Sequence, residues 1–232
     1  MGRLEEILAD VLVFRKLTDS QLKLILEKAV KVTFKKGEVI NLTGNRYPYA
    51  FILVKGLIYA NKESAEGRNL TLRTFSVGDT FWGHAVFKDT PTPTTLVSFK
   101  PSEIYQWHRD DVMPILLENN GALWDLCSLL SQRTVEVNQT IEEIVFNPVV
   151  NRLARLLVGE FESDDDNSIR RNMTLDEMAA KIGSTREVVC RLLYRLSDQN
   201  LIQVDRTKFI LINKIELGKL AEGDFGSKSN WD

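Results

Sequence analysis

From Leu175 to Leu196 apolar residues recur at helical spacing, broken once at Gly183, and beyond Leu201 they shorten into strand-like runs. Leu175, Met178, Ala179 and Ile182 form one apolar face, opened by Thr174 with Glu177 three residues on, the arrangement of a capping box. Gly183 falls where a helix ending needs positive φ. A second capping box, Ser184 with Glu187, predicts a new helix with Val188, Val189, Leu192, Leu193 and Leu196 inside. Two helices so closely joined cross steeply, and the segment reads as a helix-turn-helix.

The outer face of the second helix carries Arg186, Glu187 and Arg191 near its N-terminal end. Arginine there can hold guanine O6 and N7 with two parallel bonds, and a carboxylate can accept from cytosine N4. Thr174, Ser184 and Thr185 join these three as candidate DNA-contacting residues. Taken as a bare pattern, a capped helix pair with a solvated surface is the commoner explanation, with Glu187 serving only as a cap.

Upstream the period changes. An amphipathic helix and a second one capped at Thr18 precede residues 30 to 107, where helical spacing gives way to short apolar runs punctuated by turns. Phe51 to Val54 is followed by Lys55-Gly56, Leu57 to Ala60 stands next, Leu70 to Phe75 leads into Val77-Gly78-Asp79, and Thr94 to Phe99 precedes Pro101. Short strands at such intervals predict a β-barrel or sandwich. From about Asp110 to Val145 a long helix is expected. Along it Leu123, Cys127, Leu130, Thr134, Val137, Ile141 and Ile144 repeat by four and three, with Glu136, Glu142 and Glu143 off the stripe. A 3.5-residue repeat favours a partner helix alongside, hence a parallel homodimer, although packing on the chain's own β-domain explains positions on other faces. Phe146-Asn147-Pro148 ends the helix and marks a hinge.

Composition narrows the class. A chain of 232 residues, 44% hydrophobic, can bury one large or two modest cores. No apolar run reaches a membrane span and the N-terminus lacks a signal-peptide plan, so a cytoplasmic protein without membrane contact is expected. Net charge is −2, yet residues 167 to 219 hold ten Lys and Arg against six Asp and Glu, which favours phosphate contacts on one face. Cys127 and Cys190 are too few for a disulfide framework or a four-thiolate cluster. With two histidines, no nucleophile motif, no P-loop and no metal-spaced cluster, no catalytic site is expected. Asp164 to Asn167 reads as an acidic solvated loop.

The run S-T-R-E-V-V-C-R with D-Q-N-L-I, and upstream K-K-G-E-V-I, F-I-L-V-K-G-L-I-Y-A and the segment from Glu66 to Phe87, closely resembles the cyclic AMP receptor protein and fumarate-nitrate regulator (Crp/Fnr) superfamily of bacterial transcription factors. The resemblance covers nearly the whole chain. It implies an α+β fold: a jelly-roll (double-stranded β-helix) sensor domain over residues 1–109, a dimerisation helix and hinge over 110–146, and a winged helix-turn-helix domain over 147–232. Arg186, Glu187 and Arg191 fall on the family's base-reading trio, implying a G-T-G-A-type half-site, with Leu201 to Val204 and Phe209 to Ile212 as the wing. A homodimer on a near-palindromic duplex, with RNA polymerase as a further partner and activation the commoner outcome, follows from the resemblance.

The expected effector pocket comprises Phe81, Trp82, Gly83, His84, Ala85, Thr94 and Thr95. In cyclic-nucleotide-binding relatives a glutamate follows the glycine, and an arginine with a small hydroxyl residue holds the phosphate about ten residues on. Here His84 replaces the glutamate, Thr94 stands at the arginine's place, and Thr95 keeps the hydroxyl. A cyclic phosphate without a cation forgoes a charge-assisted pair worth roughly 1.5 to 3 kcal/mol. The effector, unknown, is therefore expected not to be cyclic AMP, with Arg68 or Arg73 the cations able to reach in from another strand. DNA binding itself calls for no cofactor. The alternative is a haem sensor with His84 as iron ligand, because the spacing Phe81-Trp82-Gly83-His84 also resembles the carbon-monoxide-sensing members; a hydrogen-bonded or exposed His84 is the simpler account. Cys127 on the seam reads as a small apolar residue, with redox modification open. His108 is expected at the surface.

Overall fold

The computed structural model describes residues 2–162 and 168–223, so the acidic run 164–167 lies outside the described residues. The chain forms two compact units. One holds the chain up to Lys62 and Leu72–Val137; the other holds Glu63–Thr71 and the chain from Asn138 onward.

The first unit opens with α1 (Gly2–Asp10) and α2 (Asp19–Lys28), the latter started by the expected box at Thr18. Then come β1 (Val30–Phe34), β2 (Val39–Asn41), β3 (Tyr49–Glu63), β4 (Asn69–Phe75), β5 (Thr80–Trp82), a single turn α3 (His84–Phe87) and β6 (Thr95–His108). They make one six-stranded sheet in the order β1-β6-β3-β4, with β2 on β6 and β5 on β3.

Two expected interruptions are bulges inside continuous strands. Lys55-Gly56 does not turn the chain: β3 runs through it, and its register on β6 slips between Lys55 and Leu57. Gly56 has φ +98°, and a Cβ there would lie 2.6 Å from the Pro101 carbonyl oxygen. Pro101 likewise does not end β6, because it stands at the bulge, where a missing N–H costs no ladder bond.

The helix expected over 110 to 145 is divided into α4 (Arg109–Leu117) and α5 (Asn120–Phe146). Asn119 causes the break: its Oδ1 accepts from the Ala122 amide at 2.9 Å while its own amide donates to the Lys16 carbonyl at 2.9 Å. His108, expected at the surface, is half-buried; its Nδ1 caps α4 by accepting from the Asp110 amide at 3.3 Å, and its ring meets Tyr49 edge-on. Phe14, Trp107, Leu116 and Leu126 centre one core of this unit, and Phe51, Leu53, Phe75 and Phe81 another.

After Asn147-Pro148 the second unit continues through α6 (Val149–Glu162), β7 (Ser168–Arg170), α7 (Leu175–Ile182), α8 (Arg186–Asp198), β8 (Ile202–Val204), β9 (Lys208–Leu211) and α9 (Lys214–Glu222). The wing is a three-stranded sheet, β7-β9-β8; β7 is too short for its alternation to be legible. Leu153, Leu157, Met178, Leu192, Leu196 and Phe209 pack one core from α6, α7, α8 and β9. Among the described residues no helix is long and apolar enough to cross a membrane.

Candidate nucleic-acid interface and sensor cavity

The helix-turn-helix is built from its caps. Thr174 Oγ1 accepts from the Glu177 amide at 3.2 Å, and the Glu177 carboxylate accepts from the Thr174 amide at 2.6 Å. Gly183 ends α7 in the left-handed region, φ +61°. One expectation fails: α8 is capped by Thr185, whose Oγ1 accepts from the Val188 amide at 3.4 Å, and not by Ser184. Ser184 is consumed in closing α7, since its amide donates to the Ala179 carbonyl at 2.9 Å as in a Schellman ending. Thr185 is the first residue left in extended geometry, with φ −113° and ψ 159°.

With α8 started there, Val189, Leu192, Leu193 and Leu196 are buried, and Arg186, Glu187, Arg191 and Tyr194 emerge on the opposite face. Ser184 and Thr185 are half-buried beside them, and Thr174 is exposed at the start of α7. Arg186 Nη1 lies 3.7 Å from Asp176 Oδ2, with both side chains well exposed, a contact that orients the guanidinium at little energy. The Glu187 carboxyl is held below its ordinary range by its own backbone N–H and then by the Thr185 hydroxyl, so it is ionised at neutral pH. In the wing, Arg171 stacks over Phe209 at 5.2 Å, and Arg170 and Arg206 are exposed.

The first unit holds a half-open cavity of about 560 Å³ between the β-roll and α5. Of the expected pocket residues, Phe81, Trp82, His84 and Thr94 line it, His84 as an exposed side chain. Gly83, Ala85 and Thr95 do not line it. A Cβ on Gly83 would lie 2.1 Å from the Tyr47 carbonyl oxygen, so this glycine serves a backbone crossing. Ala85 is buried with its carbonyl accepting from Arg109 at 3.0 Å, and Thr95 Oγ1 accepts from the Thr43 amide at 3.1 Å.

The remaining wall holds one of the two cations expected to reach in, Arg73, and a second, Arg133, that the sequence left unassigned. Arg73 from β4 and Arg133 from α5 enter the cavity, while Arg68 stays exposed beside Glu66. Arg73 is ion-paired with Glu136, Arg133 donates to the Thr80 carbonyl, and both guanidiniums lie by the Phe75 ring, at 4.9 and 5.8 Å. Burial, and next the neighbouring Arg73, push Arg133 down to about 10, which leaves it protonated at neutral pH. Leu130, Thr134 and Val137, expected on the dimer seam, also line this cavity. Arg133 lies three residues after Leu130 and four before Val137, and that spacing on the stripe is the signal that could have found it.

Farther along α5, Val137 and Ile141 are about half exposed at 50% and 54%, Cys127 is exposed, and Leu123 and Ile144 are half-buried. Trp124, Val145 and Phe146, off the expected stripe, are more exposed still.

Residues 151–220 match the Crp-like helix-turn-helix domain, and residues 31–119 match the cyclic nucleotide-binding domain. The chain is 29% identical over 201 residues to the transcriptional regulator SdrP of Thermus thermophilus, covering 82% of this chain and 94% of that protein. It is 23% identical over 213 residues to the global nitrogen regulator of Synechococcus elongatus, covering 89% and 94%. Among solved structures, a crp/fnr-family protein from Eubacterium rectale superposes with a TM-score of 0.80 at 22% identity, covering 90% of this chain and 97% of that one.

The chain belongs to the Crp/Fnr superfamily. It is a Crp/Fnr-type transcriptional regulator with a DNA-binding helix-turn-helix and a domain of the cyclic nucleotide-binding fold. Residues 151–220 take in α7 and α8, and the strands that line the 560 Å³ cavity fall within residues 31–119.

Proposed function

We propose that this regulator acts as a homodimer that reads a near-palindromic duplex, with Arg186, Glu187 and Arg191 contacting base edges of each half-site. The observation that carries this reading is the division of α8: these three side chains face solvent while the opposite face is locked in the core. Such a helix keeps its position when it enters a major groove, because its support does not depend on the readers. The half-exposed Val137 and Ile141 on α5 support self-association along that helix.

An effector in the sensor cavity controls DNA binding, and that effector is not cyclic AMP. Thr94 offers no charge to a phosphate, while Arg73 and Arg133 are engaged with Glu136 and the Thr80 carbonyl. The effector is instead a molecule with an apolar body and one group able to replace Glu136 on Arg73. Because α5 contributes both cavity wall and exposed stripe, filling the cavity changes how two such helices pair. Haem is the competing occupant, with His84 at the cavity edge as ligand; an absorption spectrum of protein from haem-supplied cells with no Soret band, or one unchanged in His84→Ala, removes it.

The test of the DNA reading is selection of bound duplexes from a random pool, followed by competition with single-base variants. Arg186→Ala is expected to cost about 1 to 3 kcal/mol at one base pair of each half-site and to relax preference there. An equal loss for all duplexes would make Arg186 a phosphate contact and overturn the assignment. Titration of cyclic AMP into the full chain is expected to give no high-affinity binding.

A further inference from the structure

The outer face of α8 continues beyond the three proposed readers. Glu187, Arg191 and Tyr194 follow one another at spacings of four and three, so they share one stripe, opposite the buried Val189, Leu192, Leu193 and Leu196. Tyr194 is the one aromatic residue of α8, and it is 66% exposed. Among the described residues its ring meets no other ring or cation, and its hydroxyl has no hydrogen-bond partner. An aromatic side chain with a polar tip suits an interface, because it brings contact area and a donor together.

Position along the helix decides what that side chain meets. Tyr194 lies seven residues beyond Glu187 and eight beyond Arg186, about 10 and 12 Å along the axis at 1.5 Å per residue. A reading helix enters the major groove with its N-terminal residues at the base edges, and the groove is about 12 Å wide and 8.5 Å deep. With Arg186 and Glu187 on the bases, Tyr194 therefore stands at the wall of the groove, where the acceptors are phosphate oxygens. Tyrosine donates to such oxygens. One turn farther, Asp198 is exposed on the same stripe, and the backbone repels its carboxylate. The contact ends at Tyr194.

We propose that Tyr194 donates its hydroxyl to one backbone phosphate oxygen at the wall of the groove, which sets the depth and register at which α8 offers Arg186, Glu187 and Arg191 to the bases. This deepens the proposed function and rests on α8 entering the groove. Tyr194 is then a positioning residue and not a reader of sequence. A neutral donor also leaves a signature that an arginine or lysine does not: it releases no condensed counterion, so it adds affinity without adding to the salt dependence.

The test is Tyr194→Phe in the full chain, which removes the hydroxyl and keeps the ring, with affinity measured over a range of salt on the selected duplex and on its single-base variants. Binding is expected to weaken about tenfold, by the same factor on every duplex, with the slope of the salt dependence unchanged. Because the side chain is exposed and has no internal partner, the unfolding midpoint should stay at the wild-type value. Replacing single phosphates by methylphosphonate should reveal one position in each half-site that weakens wild type but not Tyr194→Phe. Wild-type affinity in Tyr194→Phe, or no such position, would overturn the proposal. So would a loss confined to duplexes carrying one particular base pair, because the hydroxyl would then touch a base. Failure of the α8 reading itself shows in a different variant, as undiminished base preference in Arg186→Ala.

Discussion

On α8 Arg186, Glu187 and Arg191 face water, whereas in the cavity of the first unit Arg73 and Arg133 have internal partners. Arg186 has only a loose, exposed contact to Asp176, and Glu187 and Arg191 stand in solvent. Arg73, Glu136 and Arg133 are instead tied to partners within the same wall. The difference follows from where each ligand comes from and what the empty state costs. A hydrated arginine waits for a base edge at no expense, so the reader needs only a rigid support. In the cavity Arg73 and Arg133 each have an internal partner, although their Nε atoms are buried without one among the described residues, so on the proposed reading an effector at Arg73 exchanges for Glu136. On the proposed reading, the DNA end is always poised and the threshold for response lies in the cavity.

Leu192→Ala should produce the largest effect. Leu192 is buried in the core under the readers, and its truncation is expected to destabilise the DNA-binding unit by about 2 to 5 kcal/mol in denaturant unfolding. Base preference of the protein that remains folded should be retained, since no reader is removed. Arg186→Ala should show the converse: within about 0.5 kcal/mol of wild type in stability, but with the loss of base discrimination given above. A marked destabilisation there would mean that the reader is part of its own support.

In the cavity, Arg73→Met is expected to cost about 1 kcal/mol, discounted because the Glu136 side chain is 43% exposed, and Glu136→Gln added to it should recover most of that. Additive losses in the double-mutant cycle would show that the two groups are not coupled and that the contrast with α8 is false. The smallest effect belongs to the turn. Thr185→Ala should lower stability by about 0.5 to 1 kcal/mol, its capping bond at 3.4 Å being long, while Ser184→Ala changes little.

The second unit was the more legible. Capping boxes, the helix-ending glycine and the heptad-like core positions are local codes, and α7 and α8 appear where they place them. The one slip, Ser184 for Thr185, arose because both residues are hydroxyl-bearing and only the closing bond of α7 decides which is left to cap. In the first unit the strands were legible as apolar runs, but Gly56 and Pro101 looked like terminators until paired opposite each other in one bulge. The helix from 110 to 145 likewise looked continuous, because Asn119 is an ordinary helix-surface residue until Lys16 comes within reach.

Periodicity and capping, which act over four or five residues, were enough to separate a β-domain from a helix-turn-helix and to put Arg186, Glu187 and Arg191 on an outer helix face; the base-reading role came from the family resemblance. In the cavity, Arg133, Glu136 and the choice of Arg73 over Arg68 came only with tertiary structure. Arg73, Arg133 and Glu136 lie on a strand and a helix about sixty residues apart, and nothing local marks them as neighbours. The same holds for Arg152, a common residue on an amphipathic helix, whose Nε and Nη1 are buried without a hydrogen-bond partner among the described residues only once α5, α6 and α7 have closed around them. Charge burial is a property of the packed chain, because desolvation depends on everything that surrounds a group and not on the residues beside it in sequence.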